Sequence, residues 1–428
     1  MHAFSYRAGA LLCEEVSLAD AAAEFGTPLY LYSAGTIRDH YQRFDQALAP
    51  LDHLVCYAVK ANPNGAILRL LAKAGAGFDI VSGGELSRVL AAGADPGKCT
   101  FAGVGKTRAE IETALEHGVF CFNVESEGEL DHINEIAVTQ RRRAPIALRV
   151  NPDVAASTHA YISTGRSEDK FGIPLEDAAS VYHRAAQMSG IEIRGVQMHI
   201  GSQITEVGPF VAAIEKVAGL IAELRGRYPL EFFSIGGGLG IAYHSSLASG
   251  ESDWWRHQDP PPLTLEAYAA AITPLLTKIG LRVLFEPGRL LVGNAGVLLT
   301  RVLYLKDTGS KKFAIVDAGM NDLLRPALYG SYHEIVPVQP RPSHLVKIDI
   351  VGPVCESGDF FAHEREMPEL RPGDLLALMS AGAYGYAMAS NYNSRPLPAE
   401  AMVDGARLKL IGRRQQWTDL TALEVASD

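Results

Sequence analysis

The sequence predicts an α/β protein built as a (β/α)8 TIM-type barrel plus a C-terminal, mostly antiparallel β-domain. Three observations carry this expectation. From about residue 54 a short β-rich run is followed by a longer stretch of helical periodicity, and the pair recurs eight times. Beyond about residue 295 helical stretches become sparse and β-like runs dominate. A chain of 428 residues also has length for two or three domains.

The eight strands are read, in order, at LVCYAVKA (54–61), GFDIV (77–81), TFAGV (100–104), VFCFNVE (119–125), PIALRVN (145–151), IEIRGVQMHI (191–200), LEFFSIGG (230–237) and LRVLFEP (281–287). Stretches such as GAILRLLAKAGA, GELSRVLAAGA and RAEIETALEHG between them have the spacing of amphipathic helices. Eight β/α units are the count for a closed parallel barrel. A doubly wound open sheet is the rival, which spacing alone does not exclude. The later β-like runs are VLLTRVLYLKDT, KKFAIVDAG, HLVKIDIVGPVC, DLLALMSAGAY and GARLKLIG. The expected division is a barrel over 27–290, with 1–26 and 291–428 forming the β-domain. Residues 245–262 read as a polar, Pro-rich loop between strand seven and its helix.

Composition narrows the function. Hydrophobic residues make up 47% and charged residues 21%, an ordinary balance for a globular enzyme. The net charge is −10 and there is no extended basic run, which argues against nucleic acid as a partner. The short cluster Arg141, Arg142 and Arg143 is expected to cap a helix end before the strand at Pro145. The N-terminus lacks the basic and apolar regions of a signal peptide, and no apolar run is long enough to span a bilayer. The cysteines Cys13, Cys56, Cys99, Cys121 and Cys355 are scattered, odd in number and without metal-ligand spacing, so no metal and a reducing cytoplasm are expected.

Barrel chemistry occurs at the C-terminal ends of strands, and this chain's unusual polar residues gather there. Lys60 ends strand one, Asp79 lies near the end of strand two and His199 ends strand six. Gly236, Gly237 and Gly238 end strand seven, and Glu286 ends strand eight. Taken singly, each has a bland alternative: a solvated lysine, a histidine satisfying a carbonyl, a glycine turn. Together they describe a site for pyridoxal 5′-phosphate. A partly buried lysine can form an imine, and glycines offer unhindered backbone N–H groups, a natural phosphate cradle. A carboxylate can hold a protonated ring nitrogen, and an imidazole can stack on the ring face.

At this point whole segments are recognisable. YAVKAN (57–62), GFDIVSGGEL (77–86), HIGSQ (199–203), GGGLG (236–240) and EPGR (286–289) resemble the fold-type III pyridoxal phosphate decarboxylases. DAGMNDLLRPALYGSYHEI (317–335), VGPVCESGD (351–359) and AGAYGYAMASNYN (381–393) narrow the resemblance to the diaminopimelate decarboxylase family. It covers nearly the whole chain, in order. The resemblance implies that Lys60 forms the imine with the cofactor, Glu286 pairs with its ring nitrogen, His199 stacks on the ring, and Asp79 lies near it. It also implies that Ser202, the glycines 236–238 and the segment Glu286, Pro287, Gly288 and Arg289 hold the cofactor, with Tyr384 reaching its phosphate. Arg289, Arg325, Tyr329 and Tyr384 would contact the substrate meso-diaminopimelate, and Glu356 its distal amine. Cys355 would be the proton donor to the partner subunit's site in a homodimer.

Two departures stand out. Ala160 in HAYISTGRSEDKFGI (159–173) replaces a residue that is often proline in relatives. The doubled Phe360–Phe361 follows CESGD, next to the specificity contacts. Three other readings compete: decarboxylation of ornithine, arginine or carrier-bound glutamate; a racemase; or a non-catalytic pyridoxal phosphate-binding protein. Arg289, Arg325 and Tyr329 argue against a substrate lacking a distal carboxylate, since it would strand buried charge. A racemase predicts a cation in place of Glu286. Retention of both Lys60 and Cys355 argues against a binding protein.

Overall fold

The structure is a computed structural model describing residues 2–154, 170–251, 253–258 and 262–425, so most of the 159–173 loop, Ala160 included, lies outside the described residues. The chain divides into two compact units: His40–Gly240 with Gln258–Leu290, and Met1–Asp39 with Ile241–His257 and Leu291–Asp428.

The first unit contains the barrel. Its strands are His53–Ala58, Gly77–Ile80, Cys99–Phe101, Cys121–Val124, Ala144–Asn151, Ile191–Met198, Phe232–Ser234 and Arg282–Phe285. Each pairs in parallel with the next, and strand eight returns to strand one through Val283 opposite His53. A doubly wound sheet would have two open edges; this ring closes, which excludes the rival reading. Ser82, Thr107 and Ser126 follow strands two, three and four and cap the next helix by accepting from its third backbone N–H. Each such cap contributes about 1 kcal/mol.

Strand parity sets what the barrel encloses. Side chains two residues apart face the same way. Leu54, Cys56, Cys121, Ala147, Phe232 and Leu284 form one buried apolar cluster. Two residues further along their strands, the same parity brings Asn123, Arg149, Ser234 and Glu286, all buried. The interior therefore turns from apolar to polar toward the C-terminal ends.

The arginine cluster does cap a helix, but a neighbouring one. Arg142 Nη1 donates to the Leu115 carbonyl in the last turn of helix Arg108–His117 at 3.0 Å, and Arg143 bonds the Ile191 carbonyl.

In the second unit the long strand Gly296–Asp307 is central. It pairs antiparallel with Lys312–Val316, Leu375–Leu378 and Leu29–Ser33. Two pairings are parallel, Leu29–Ser33 with Ala399–Asp404 and Lys312–Val316 with Leu345–Val351. The N-terminal strands Phe4–Arg7, Ala10–Cys13 and Val16–Ser17 and helix Leu18–Phe25 pack onto this sheet. Leu11 donates to the Val338 carbonyl, and Leu11, Cys13, Leu18, Leu31, Val297 and Ala401 share one core. The 245–262 stretch holds two short 3-10 turns, Ala248–Gly250 and Trp254–His257. Among the described residues no helix is long and apolar enough to cross a membrane.

Candidate active site

The barrel's polar residues meet at its C-terminal end. Strand one stops at Ala58, and Lys60 lies in the 3-10 turn Val59–Ala61 that follows, not within the strand. The turn lifts its amine out of the ladder. Lys60 keeps 41% of its side chain exposed while Nζ lies 3.5 Å from Asp79 Oδ2. Asp79 is buried and also accepts from Thr100 Oγ1 on strand three. Burial raises its pKa, and the nearby Lys60 ammonium opposes that rise.

Glu286 follows strand eight and is 6% exposed. Ser234 on strand seven donates to its Oε1 at 2.7 Å, and Gln197 on strand six donates to its Oε2 at 3.1 Å. The Ser234 oxygen itself accepts from the Gly236 N–H at 3.3 Å. That contact turns the hydroxyl proton toward the carboxylate. Burial, then the nearby Asp79 charge, push the Glu286 carboxyl up to about 7, while Ser234, Lys60 and Gln197 act in the opposite direction. A buried carboxylate nearby raises the pKa of a second one.

His199 directly follows strand six. Its Nδ1 accepts from the Gly237 N–H at 3.3 Å, so a neutral ring carries its proton on Nε2. Burial, then the positive charges of Arg149 and Lys60, hold it well below the ordinary imidazole value. The amides of Gly236 and Gly237 are thus engaged inside the barrel rather than free for a phosphate as expected, and what these glycines add is clearance. A Cβ at Gly236 would lie 2.5 Å from the Met198 carbonyl oxygen; at Gly237, 2.2 Å from that of Glu286; at Gly238, 2.6 Å from that of Gly201. Gly236 and Gly238 also have φ of 71° and 108°, open to glycine with little strain.

The EPGR segment closes the group. Pro287 accepts from the Ala58 N–H, and a Cβ at Gly288 would come within 3.1 Å of the Ala58 and Ala61 side chains, so the segment seats against the Lys60 turn. Arg289 is buried and donates to Ser202 Oγ at 3.0 Å. These residues suit pyridoxal phosphate on their own geometry: an accessible amine, a glycine-lined backbone, a neutral imidazole, and a buried carboxyl held by neutral donors.

The second unit holds the remaining residues. Arg325 and Tyr329 lie on the short helix Arg325–Tyr329, with Arg325 buried and Tyr329 half-buried. Cys355 and Glu356 are exposed on the loop after strand Leu345–Val351; the other four cysteines are buried and all five are free. Cys355 N–H donates to Asn393 Oδ1 at 2.9 Å. Tyr384 is half-buried at φ 56°. Phe361 is buried and Phe360 packs on His363 with ring centroids 4.1 Å apart.

Sequence reading passed over several residues the geometry brings in. Asp359 is 4% exposed and accepts from the Val354 N–H and the Met320 N–H, both at 2.6 Å. It thereby ties CESGD to DAGMND. In the barrel, Thr100, Gln197 and Ser234 hold the two carboxylates, and Arg149, paired with Glu125 at 2.9 Å, supplies a buried positive charge. Gln197 and Ser234 carried a signal: each lies two residues before a singled-out position, His199 or Gly236, and so shares its parity.

Comparison with known proteins agrees over nearly the full length. The family described as "Pyridoxal-dependent decarboxylase, pyridoxal binding domain" matches residues 34–293. A diaminopimelate decarboxylase of Pseudomonas aeruginosa is 50% identical over 425 residues, covering 99% of each chain. One from Vibrio cholerae is 47% identical with the same coverage. The crystal structure of diaminopimelate decarboxylase from M. jannaschii in complex with L-lysine superposes with a TM-score of 0.91 at 36% identity, covering 99% of this chain and 98% of that one. The Helicobacter pylori enzyme complexed with L-lysine gives 0.88 at 40%, covering 95% and 98%. With the barrel closed, its polar residues at the expected ends and this likeness spanning both units, the chain belongs to the diaminopimelate decarboxylase family of pyridoxal-dependent decarboxylases.

Proposed function

We propose that the protein removes CO2 from meso-2,6-diaminopimelate to give L-lysine, the last step of lysine biosynthesis, with pyridoxal 5′-phosphate as cofactor. The observation that carries this reading is the buried Glu286 carboxyl, held by Ser234 and Gln197 in the same barrel as the Lys60 amine. Bound pyridoxal phosphate supplies an electron sink for the bond that loses CO2.

The residues divide the work. Lys60 would hold the cofactor through its amine. Glu286 would hold a proton on the cofactor's ring nitrogen, and a carboxylate does this best when ionised. Ser234 and Gln197 favour that charge state by donating to both oxygens. Neutral His199 would stack its flat ring on the cofactor without adding charge. Asp79 holds the Lys60 amine. Ser202, Gly236, Gly237, Gly238 and residues 286–289 would hold the cofactor, with Tyr384 reaching its phosphate. Arg289, Arg325 and Tyr329 would bind the substrate's distal carboxylate, and Glu356 its distal amine. Cys355 of the partner subunit would protonate the product in a homodimer. We place the enzyme in the cytoplasm, where its five free thiols stay reduced.

The deciding experiment is CO2 release from purified, cofactor-loaded protein. Meso-diaminopimelate is expected to exceed ornithine by at least about 10²-fold in kcat/KM, because ornithine would leave buried arginine charge unmatched. Comparable turnover of ornithine would sink the assignment.

A further inference from the structure

The barrel gathers charged side chains at a second place, the end opposite the candidate active site. Arg142 and Arg143 stand just before strand five, Ala144–Asn151, and Arg194 lies near the start of strand six, Ile191–Met198. Together they line a surface cavity of about 320 Å³, whose apolar wall is Leu115, Val119 and Pro145. That volume falls at the lower end of the range for small-molecule sites, about 300–1,000 Å³. Each guanidinium is anchored by a backbone carbonyl from a different part of the barrel. Arg142 Nη1 donates to the Leu115 carbonyl at 3.0 Å. Arg143 donates to that of Ile191 through Nε at 3.2 Å and Nη2 at 2.6 Å, and Arg194 Nη1 donates to that of Phe120 at 3.2 Å. The Arg194 guanidinium carbon also lies 4.8 Å from the centroid of the Phe120 ring.

The three arginines differ in how their charge is met. Arg194 Nε donates to Glu231 Oε2 at 3.0 Å, and Glu192 on the cavity wall lies 4.0 Å from the same nitrogen. Among the described residues, Arg142 and Arg143 donate to carbonyls alone, and neither meets a carboxylate. The C-terminal end of helix Arg108–His117, which Arg142 caps, offers only about half an elementary charge of opposite sign. Capping needs a donor and no charge, so a glutamine would serve it. A guanidinium carries five N–H donors, and both arginines keep donors beyond those the carbonyls take. Like charges around one small cavity repel one another, and an anion among them removes that repulsion. The carbonyl anchors mean that these forks lose little freedom when they grip a ligand. A carboxylate or phosphate matches such forks through paired hydrogen bonds, and the apolar wall suits a short carbon body.

We propose that this cavity binds a small organic oxyanion, a phosphate ester or a carboxylate on a short apolar chain. The site is separate from the one at the other end of the barrel: the eight residues of strand five, at about 3.3 Å each, run between them. The test is isothermal titration calorimetry of the cofactor-loaded protein at constant ionic strength, with n-butyl phosphate and with pentanoate as probes. Wild type is compared with the double variant Arg142→Gln/Arg143→Gln, whose amides can still donate to the two carbonyls. At least one probe is expected to bind wild type with Kd below about 1 mM. The double variant is expected to bind it about 10-fold more weakly, the effect of losing a hydrogen bond to a charged group. Its near-ultraviolet circular dichroism should match that of wild type. Which probe binds identifies the head group: butyl phosphate alone means a phosphate ester, pentanoate alone a carboxylate, and both mean that the shared oxyanion suffices. Failure of both probes to bind wild type below about 1 mM overturns the proposal. So does a loss smaller than about 3-fold in the double variant, since the anion then sits elsewhere. Should the double variant fail to fold, Arg143→Gln alone decides: a loss of about 3-fold or more supports the site, and a smaller one rejects it.

Discussion

Asp79 and Glu286 in the barrel are 1% and 6% exposed, whereas Cys355 and Glu356 in the β-rich unit lie open on a loop. The barrel pair is gripped by side chains from neighbouring strands: Thr100 for Asp79, and Ser234 with Gln197 for Glu286. The loop pair is placed by its backbone, through Asn393 and the buried Asp359. The difference teaches where each property comes from. A charge state is set by strand register, which decides what faces the interior. Availability to a second surface is set by keeping a side chain outside the ladder.

The largest expected effect tests whether the exposed thiol serves another chain. Lys60→Ala and Cys355→Ala are each expected to abolish turnover. Mixed and allowed to exchange subunits, random pairing would put about half the population into heterodimers. Each heterodimer would hold one site with both residues intact and one with neither, so activity should return to about one quarter of wild type. If mass spectrometry shows exchange and no activity returns, both residues act within one chain and the contrast between the two sets loses its meaning.

The next effect sharpens the buried side. A group whose folded pKa is raised contributes stability that is fully present below its unfolded pKa and lost as pH rises through the folded value. For Glu286 that window runs from the ordinary 4.5 to about 7. Replacing Glu286 by Gln removes the titration. Relative to Glu286→Gln, the wild-type apoprotein should therefore lose up to roughly 3 kcal/mol between pH 4.5 and 8. Urea denaturation of both proteins at several pH values reads this directly. A constant stability gap across the range would show that the carboxyl is not strained by burial.

The smallest effect addresses the loop. Asp359→Asn keeps the shape but turns one acceptor into a donor facing a backbone N–H, and should cost about 1–3 kcal/mol. The midpoint of urea unfolding measures it. A neutral result would mean that Asp359 does not pin the loop.

The barrel was legible because each strand is a compact apolar run and each unusual residue falls where the run stops. All eight strands appeared in order. Strand Phe360–Pro368 was missed because its buried positions, Phe361, Ala362 and Met367, do not alternate, and polar residues such as His363, Glu364 and Glu366 between them are exposed. Leu29–Ser33 was missed as a member of the β-rich sheet for a topological reason. It precedes the barrel in sequence yet pairs with Gly296–Asp307, a partner more than 260 residues away that no local pattern announces. Roles for Lys60, Cys355 and the arginines came from whole motifs and their resemblance to a family, since a lone lysine or thiol has several bland readings. Ser234 and Gln197 were hidden by their chemistry: a serine and a glutamine inside strands look like ordinary polar positions until register turns them toward Glu286.

Asp359 also constrains how this protein can diversify. One carboxylate receives amide protons from Met320 and Val354, and it occupies the space where a side chain at Gly352 would go. The loop bearing Cys355 and Glu356 and the segment leading to Arg325 are thereby locked in register at a fixed length. Inserting or deleting a residue between Gly352 and Asp359 would break both anchors at once. A change of substrate preference that keeps this clamp must therefore exchange side chains at constant loop length.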